Sequence, residues 1–302
     1  MANDKPQTSD GYSSGKTEDC ERLLITLLGK MGPYRDHVRV IGGLCPRYLC
    51  PAAPPNVPEH FGTQDVDLVL DVVLLHQPDA YKNLAQNLHQ MGFKKGLSDD
   101  LSRSVSWRWE IEIEDRGSLL LEFLCDLPPG ENPGIKSIQD TAVTAMAMPH
   151  VGMALGWYDQ REVTAELLRE GGLRTETVRF ADIVSFITLK ALAFSQRTEP
   201  KDAADLAHVL TYFRPTLDET AAHFKSRLNE GLHNDAIAKG LTILRKDFTT
   251  TDEREGWRKS GAVAAAKFFL GDDAAREDLN IRQREVADLM ARFLAITDQF
   301  EN

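Results

Sequence analysis

Asp65 and Asp67 stand two residues apart in the run Gln64-Asp65-Val66-Asp67-Leu68-Val69-Leu70-Asp71. Side chains alternate along a β-strand, so both carboxylates share a face, with Cα atoms roughly 6–7 Å apart. Val66, Leu68 and Leu70 take the opposite, packed face. Two carboxylates this close repel each other unless a cation lies between them. Hard divalent ions with oxygen ligands, Mg²⁺ above all, suit such a pair, with substrate phosphates completing the shell. Upstream, Val38-Arg39-Val40-Ile41 reads as a short strand that stops at Gly42-Gly43. Paired glycines let the chain turn sharply and let a ligand approach the backbone. A helix starting there presents unpaired N–H groups to an anion such as a phosphate. Each feature alone also fits a solvent-facing acidic edge or an ordinary turn. Together, in this order and on two strands, they point to a nucleoside triphosphate site.

A third acid is Glu122, inside Leu119-Leu120-Leu121-Glu122-Phe123-Leu124-Cys125. A carboxylate in such a run is costly to bury unless it is paired or bound to metal. If this strand lies beside the Asp65 strand, Glu122 completes a three-carboxylate cluster, with Asp126 on the same face in reserve. The competing reading of Glu122 is a partly solvated residue with its stem against the sheet. Further on, Lys190 falls in an apolar helical stripe, where an ammonium group needs an anionic partner. Asp202 and Asp205 are three apart and share a helical face. The helix dipole explains an acid at Asp202 well and at Asp205 less well.

These groups need a scaffold, and the periodicity predicts one. Leu23, Leu24, Leu27 and Leu28 give a helix over Glu21–Met31, ended by Gly32-Pro33. The Asp65 strand is expected to run to Val73. Between the glycine turn and this strand, Leu44–Leu49 reads as a short helix. Pro51, Pro54, Pro55 and Pro58 then impose a stiff loop, which is either a wall of the substrate cleft or a plain surface insertion. Tyr81–Met91 is predicted helical. Trp107, Trp109, Ile111 and Ile113 alternate with Arg108, Glu110, Glu112 and Glu114, a half-buried strand. It turns at Asp115-Arg116-Gly117 and returns over Leu119–Asp126. Glu162–Leu168 and Thr175–Phe180 are strand candidates whose place in a sheet the pattern does not give. From Ala181 onward the pattern is helical. The expected organisation is therefore a polar disordered tail over 1–18, an α/β domain over 19–180 with a mixed sheet flanked by helices, and a C-terminal helical subdomain over 181–302.

Composition narrows the classes of function. A net charge of −11 over 302 residues does not suit indiscriminate binding to nucleic acid or anionic membrane. It leaves room for a local basic groove or a basic protein partner. Cys20, Cys45, Cys50 and Cys125 lack a zinc-site spacing and read as reduced thiols. The beginning of the chain lacks the apolar core of a signal peptide. Pro149 and His150 interrupt the apolar run Ala142–Tyr158. No membrane association is expected, and the expected location is cytoplasmic.

Taken together, Gly42-Gly43, Asp65-Val66-Asp67 and Glu122 resemble the pattern of the polymerase-beta-like nucleotidyltransferase superfamily. Within it the chain is most similar to AbiEii-type nucleotidyltransferase toxins. The later stretch K-A-L-A-F-S-Q-R-T-E-P-K-D-A-A-D-L, residues 190–206, resembles their downstream signature. The resemblance covers about residues 38–210. Many members carry Gly-Ser where this chain has Gly-Gly, so Gly43 offers backbone only. The spacing to Asp65 is also long.

The resemblance implies a nucleotidyltransferase-type sheet over 19–180 and Mg²⁺-dependent transfer of an NMP from an NTP to a hydroxyl acceptor. It implies that Asp65, Asp67 and Glu122 are the catalytic, metal-holding acids for two ions. Gly42, Gly43, Lys190, Asp202 and Asp205 would form the nucleotide-binding set. RNA or tRNA as acceptor, a protein antitoxin as partner, and a bacterial toxin–antitoxin or phage-defence setting follow from the same likeness. A small-molecule nucleotidyltransferase and a non-catalytic nucleotide- or partner-binding protein stay open. Base preference, acceptor and oligomeric state are not encoded legibly.

Overall fold

A computed structural model describes residues 5–71, 78–97, 104–114, 116–128, 130–137, 143–169, 171–249 and 256–300. The end of the expected Asp65–Val73 strand, Val72 and Val73, lies outside them. The chain divides into two units. One comprises residues 13–48 and 62–182; the other comprises residues 5–12, 49–61 and 183 onward.

The first unit is α/β. Helix α1 spans Ser14–Met31 and begins earlier than the predicted Glu21. Its cause is local: the Ser13 hydroxyl accepts the Lys16 amide at 3.2 Å and caps the first turn. Within that turn, the Thr17 hydroxyl accepts the Thr63 N–H at 3.0 Å. The polar residues expected to form the end of a disordered tail are thus bonded inward, which corrects the 1–18 reading. Leu23, Leu24, Leu27 and Leu28 are buried as the spacing requires.

Strand β1 is Val38–Ile41, followed by a helical turn at Gly42–Leu44 and helix α2 at Cys45–Leu49. Strand β2 is Asp65–Leu70, and helix α3 is Pro78–Gln90. A meander follows of β3, Lys94–Leu97, β4, Ser104–Ile113, and β5, Gly117–Asp126. Strands β6, Gly134–Ser137, and β7, Thr144–Met148, lead to the short helix α4, Met153–Gly156. The hairpin β8, Tyr158–Glu166, and β9, Leu173–Ala181, completes the unit.

These strands form one open mixed sheet in the order β3-β4-β5-β2-β1-β9-β8, with β7 beside β5 and β6 beside β7. The β8–β9 pair, which periodicity left unplaced, joins the sheet because β9 runs parallel to β1, with Phe180 opposite Val40. On one face Val66, Leu68, Leu121, Phe123 and Trp109 are fully buried. The opposite face carries Asp65, Asp67 and Glu122.

The second unit is helical: α5 (Ile183–Arg197), α6 (Pro200–Tyr212), α7 (Leu217–Glu230), α8 (Asn234–Phe248), α9 (Ser260–Leu270) and α10 (Arg276–Thr297). Phe186, Phe194, Phe224, Phe248, Phe268 and Phe293 fill its interior. The proline-rich segment 49–61 belongs to this unit rather than to the expected α/β domain. Phe61 anchors it, with ring centroids 4.7 Å from Phe268 and 6.4 Å from Tyr12. Tyr12 is buried and the Ser9 hydroxyl donates to the Phe269 carbonyl at 3.4 Å, so the polar N-terminal stretch is anchored by contacts that composition averages away.

Candidate functional site

Three strands bring the acids of the sheet together. In the antiparallel β1–β2 pair, Ile41 is opposite Asp67. In the parallel β2–β5 pair, Asp67 is opposite Glu122 and Asp65 is opposite Leu120. Register partners on adjacent strands lie about 5 Å apart, with side chains on the same face. The end of β1, Asp67 and Glu122 therefore form one lateral row, with Asp65 two residues along β2.

Gly42 follows Ile41 with φ +72, a conformation that costs a side-chain-bearing residue but not glycine. The position is crowded as well: a methyl group there would run into the Asp67 carboxylate. Gly42 thus supplies the turn and the space that Asp67 occupies. Gly43 is buried within the helical turn that follows.

Asp65 is nearly buried at 9% exposure, and its Oδ1 accepts the Thr63 hydroxyl at 2.5 Å. Thr63 is in turn tied to α1 through Thr17. Cys20 of α1 lies close enough to feel both acids. Burial first, then the charges of Asp65, Asp19 and Asp67, push its thiol well above the usual range. Cys20 is a neutral thiol, unsuited to nucleophilic or thiolate chemistry.

Glu122 has a different partner. Across the β4–β5 hairpin it is opposite Arg108, whose Nε donates to Glu122 Oε1 at 2.6 Å. Both side chains are largely buried, 13% and 16% exposed. Arg108 is held in place by the Leu97 carbonyl, which accepts its Nη1 at 2.8 Å, and by the Trp107 ring at 4.7 Å. Asp126, the reserve acid, sits at the far end of β5 and accepts the Gly152 amide at 3.0 Å. It secures the turn into α4 rather than joining the row. Among the described residues, no group of three or more His, Cys, Asp and Glu side chains is gathered in a metal-holding arrangement. The oxygen-only pair Asp65–Asp67 suits a hard cation such as Mg²⁺, with a third acid adjacent in register but ion-paired.

Lys190, Asp202 and Asp205 belong to the helical unit and form a cluster there. Lys190 Nζ contacts Asp202 Oδ1 at 2.8 Å and Asp205 Oδ2 at 2.7 Å. Arg197 Nε donates to Asp202 at 2.7 Å, and Lys201 Nζ to Asp205 at 3.0 Å. His60 Nε2 is 2.8 Å from Asp205 Oδ1, which ties the proline-rich segment to α6. Burial works against every charge here. For Lys190 the charges of Asp202 and Asp205 outweigh it and raise the pKa. For Asp205 the two lysines outweigh it and hold the carboxyl well below its ordinary range. Burial wins for the imidazoles, pushing His60 to about 4 and His208 to about 3. The cluster is an ionised Lys–Asp core beside two neutral histidines.

Several of these participants escape sequence reading. His60 and Asp205 are far apart in the chain, and no local pattern joins them. Arg108 was legible in principle. A hairpin that pairs Ile113 with Gly117 pairs, counting outward, Arg108 with Glu122.

No protein-family model matches this chain, and no curated protein matches it either.

Proposed function

We propose that this chain is a metal-dependent nucleotidyltransferase that moves an NMP unit from an NTP to a hydroxyl acceptor and releases pyrophosphate. The observation that carries the reading is the lateral row of glycine turn, Asp67 and Glu122 across β1, β2 and β5. Asp65 and Asp67 would hold Mg²⁺, with Glu122 as the third acid. When bound, such ions neutralise the triphosphate and lower the pKa of the attacking hydroxyl. Gly42 and Gly43 would meet phosphate oxygens with backbone N–H groups only. The work left to the protein is electrostatic and positional, so no covalent nucleophile is required.

Lys190, Asp202 and Asp205 have a structural role in the ion-paired core of the helical unit. Their part in nucleotide binding rests on the resemblance of residues 190–206. The same resemblance supports an RNA or tRNA acceptor, a protein antitoxin as partner and a toxin–antitoxin or phage-defence setting. A second reading, a non-catalytic nucleotide-binding protein on the same scaffold, draws support from the Arg108–Glu122 ion pair, which occupies the third acid. Asp67→Ala separates the two. Under the enzyme reading it abolishes Mg²⁺-dependent transfer of label from an α-labelled NTP while the protein stays folded. Under the binding reading the wild type transfers no label.

A further inference from the structure

Arg108 is seated by four separate features of the first unit. Its guanidinium donates to Glu122 Oε1 and to the Leu97 carbonyl, and it stacks beside Trp107. Gly96 makes room for its stem, because a methyl group at that position would press on Arg108 Cγ and Cδ at 2.7 and 3.1 Å. An arginine on a solvated strand face needs none of this. Its partner is also the one acid that lies in register with Asp67. Arg108 thus grips the third carboxylate from the β4 side while the Asp65–Asp67 pair stands on the β2 side.

We propose that Arg108 is a positioning residue that sets how tightly the acid row takes a divalent cation, by competing with that cation for Glu122. The proposal rests on the metal-site reading of Asp65 and Asp67. Three carboxylates on one face, Asp67 and Glu122 in register and Asp65 two residues along β2, would repel strongly, and the guanidinium offsets one of those charges. A cation that recruits Glu122 must displace a largely buried, charge-assisted pair. The row therefore binds a cation more weakly than three unencumbered carboxylates would. An arginine that only braced the hairpin would leave cation affinity unchanged when removed.

The test is direct Mn²⁺ titration of the full chain, following the free Mn²⁺ signal by electron paramagnetic resonance, for wild type, Arg108→Met, Arg108→Lys, Asp67→Asn and the double variant Arg108→Met/Glu122→Gln. Folding of each is checked by circular dichroism and thermal melting. Arg108→Met is expected to tighten Mn²⁺ binding roughly tenfold, equivalent to about 1.4 kcal/mol. Arg108→Lys, which keeps the charge, is expected to remain near wild type, and the double variant to lose the gain. If Arg108→Met misfolds, Arg108→Gln serves the same comparison. Wild-type binding that Asp67→Asn abolishes but Arg108→Met leaves unchanged or weakens overturns the role of Arg108 alone. Wild-type protein that binds no Mn²⁺, or binds it equally well in Asp67→Asn, overturns the metal-site reading and this proposal with it.

Discussion

The Asp67 carboxylate occupies the space where a side chain on Gly42 would begin. The glycine turn after β1 and the acid of β2 are thus one local structure. A flexible turn alone would need only the positive φ; this turn also needs the missing Cβ. Gly42→Ala is expected to cost about 1–3 kcal/mol through the positive φ and the contact with Asp67. It is also expected to displace Asp67 and so weaken divalent-ion binding. Urea denaturation and Mn²⁺ titration of the same variant check both effects.

The helical unit depends on Asp205 in a comparable way. It is fully buried and answers Lys190, Lys201 and His60 together. Removing it leaves two largely buried ammonium groups without one of their anions. Asp205→Ala is expected to destabilise by about 3–5 kcal/mol, in the range for breaking a buried ion pair. Asp202→Ala is expected to fall in the same range, since it answers Lys190 and Arg197. Equilibrium denaturation followed by far-ultraviolet circular dichroism measures each, and a loss below about 0.5 kcal/mol would contradict this picture.

Acid should loosen the same region. The His60 pKa is lowered from 6.5 to about 4 and the His208 pKa to about 3, each mainly by burial. The unfolded chain therefore binds more protons than the folded one as pH falls below about 6.5. Folding stability is full above that point and is lost progressively as the pH drops toward 4. Asp205, with its pKa depressed, adds a further loss at lower pH still. Denaturation midpoints measured from pH 7.5 to 4.5 should hold level down to about pH 6.5 and fall below it. In His60→Gln, which can still donate to Asp205, the slope should be shallower by up to one proton.

The sheet acids were legible because strand alternation is a local rule: Asp65 and Asp67 share a face wherever their strand goes. Glu122 is legible as a costly acid in an apolar run, but its place opposite Asp67 depends on the β2–β5 register, which no local pattern sets. Its ion pair was missed because Arg108, Glu110 and Glu112 alternate as a solvated strand face does. Lys190 lies in an apolar stripe and so needs an anion, and Asp202 and Asp205 are its partners. His60 carried no signal, since its partner comes from a helix distant in sequence. The β8–β9 hairpin was visible only in part, because β8 is mostly exposed and lacks a strong apolar alternation. The start of α1 is hidden by Ser13 and Thr17, polar residues that read as tail but act as a cap and a crosslink.

The most direct test of the account is transfer of label from each of four α-labelled NTPs, with Mg²⁺, to fractionated cell RNA, protein and metabolites. Wild-type protein should label one fraction, and Asp65→Asn, Asp67→Asn and Glu122→Gln should each reduce that labelling roughly 100-fold or more while remaining folded. Absence of Mg²⁺-dependent labelling by the wild type with every NTP and fraction, or undiminished labelling by folded Asp67→Asn, would contradict it.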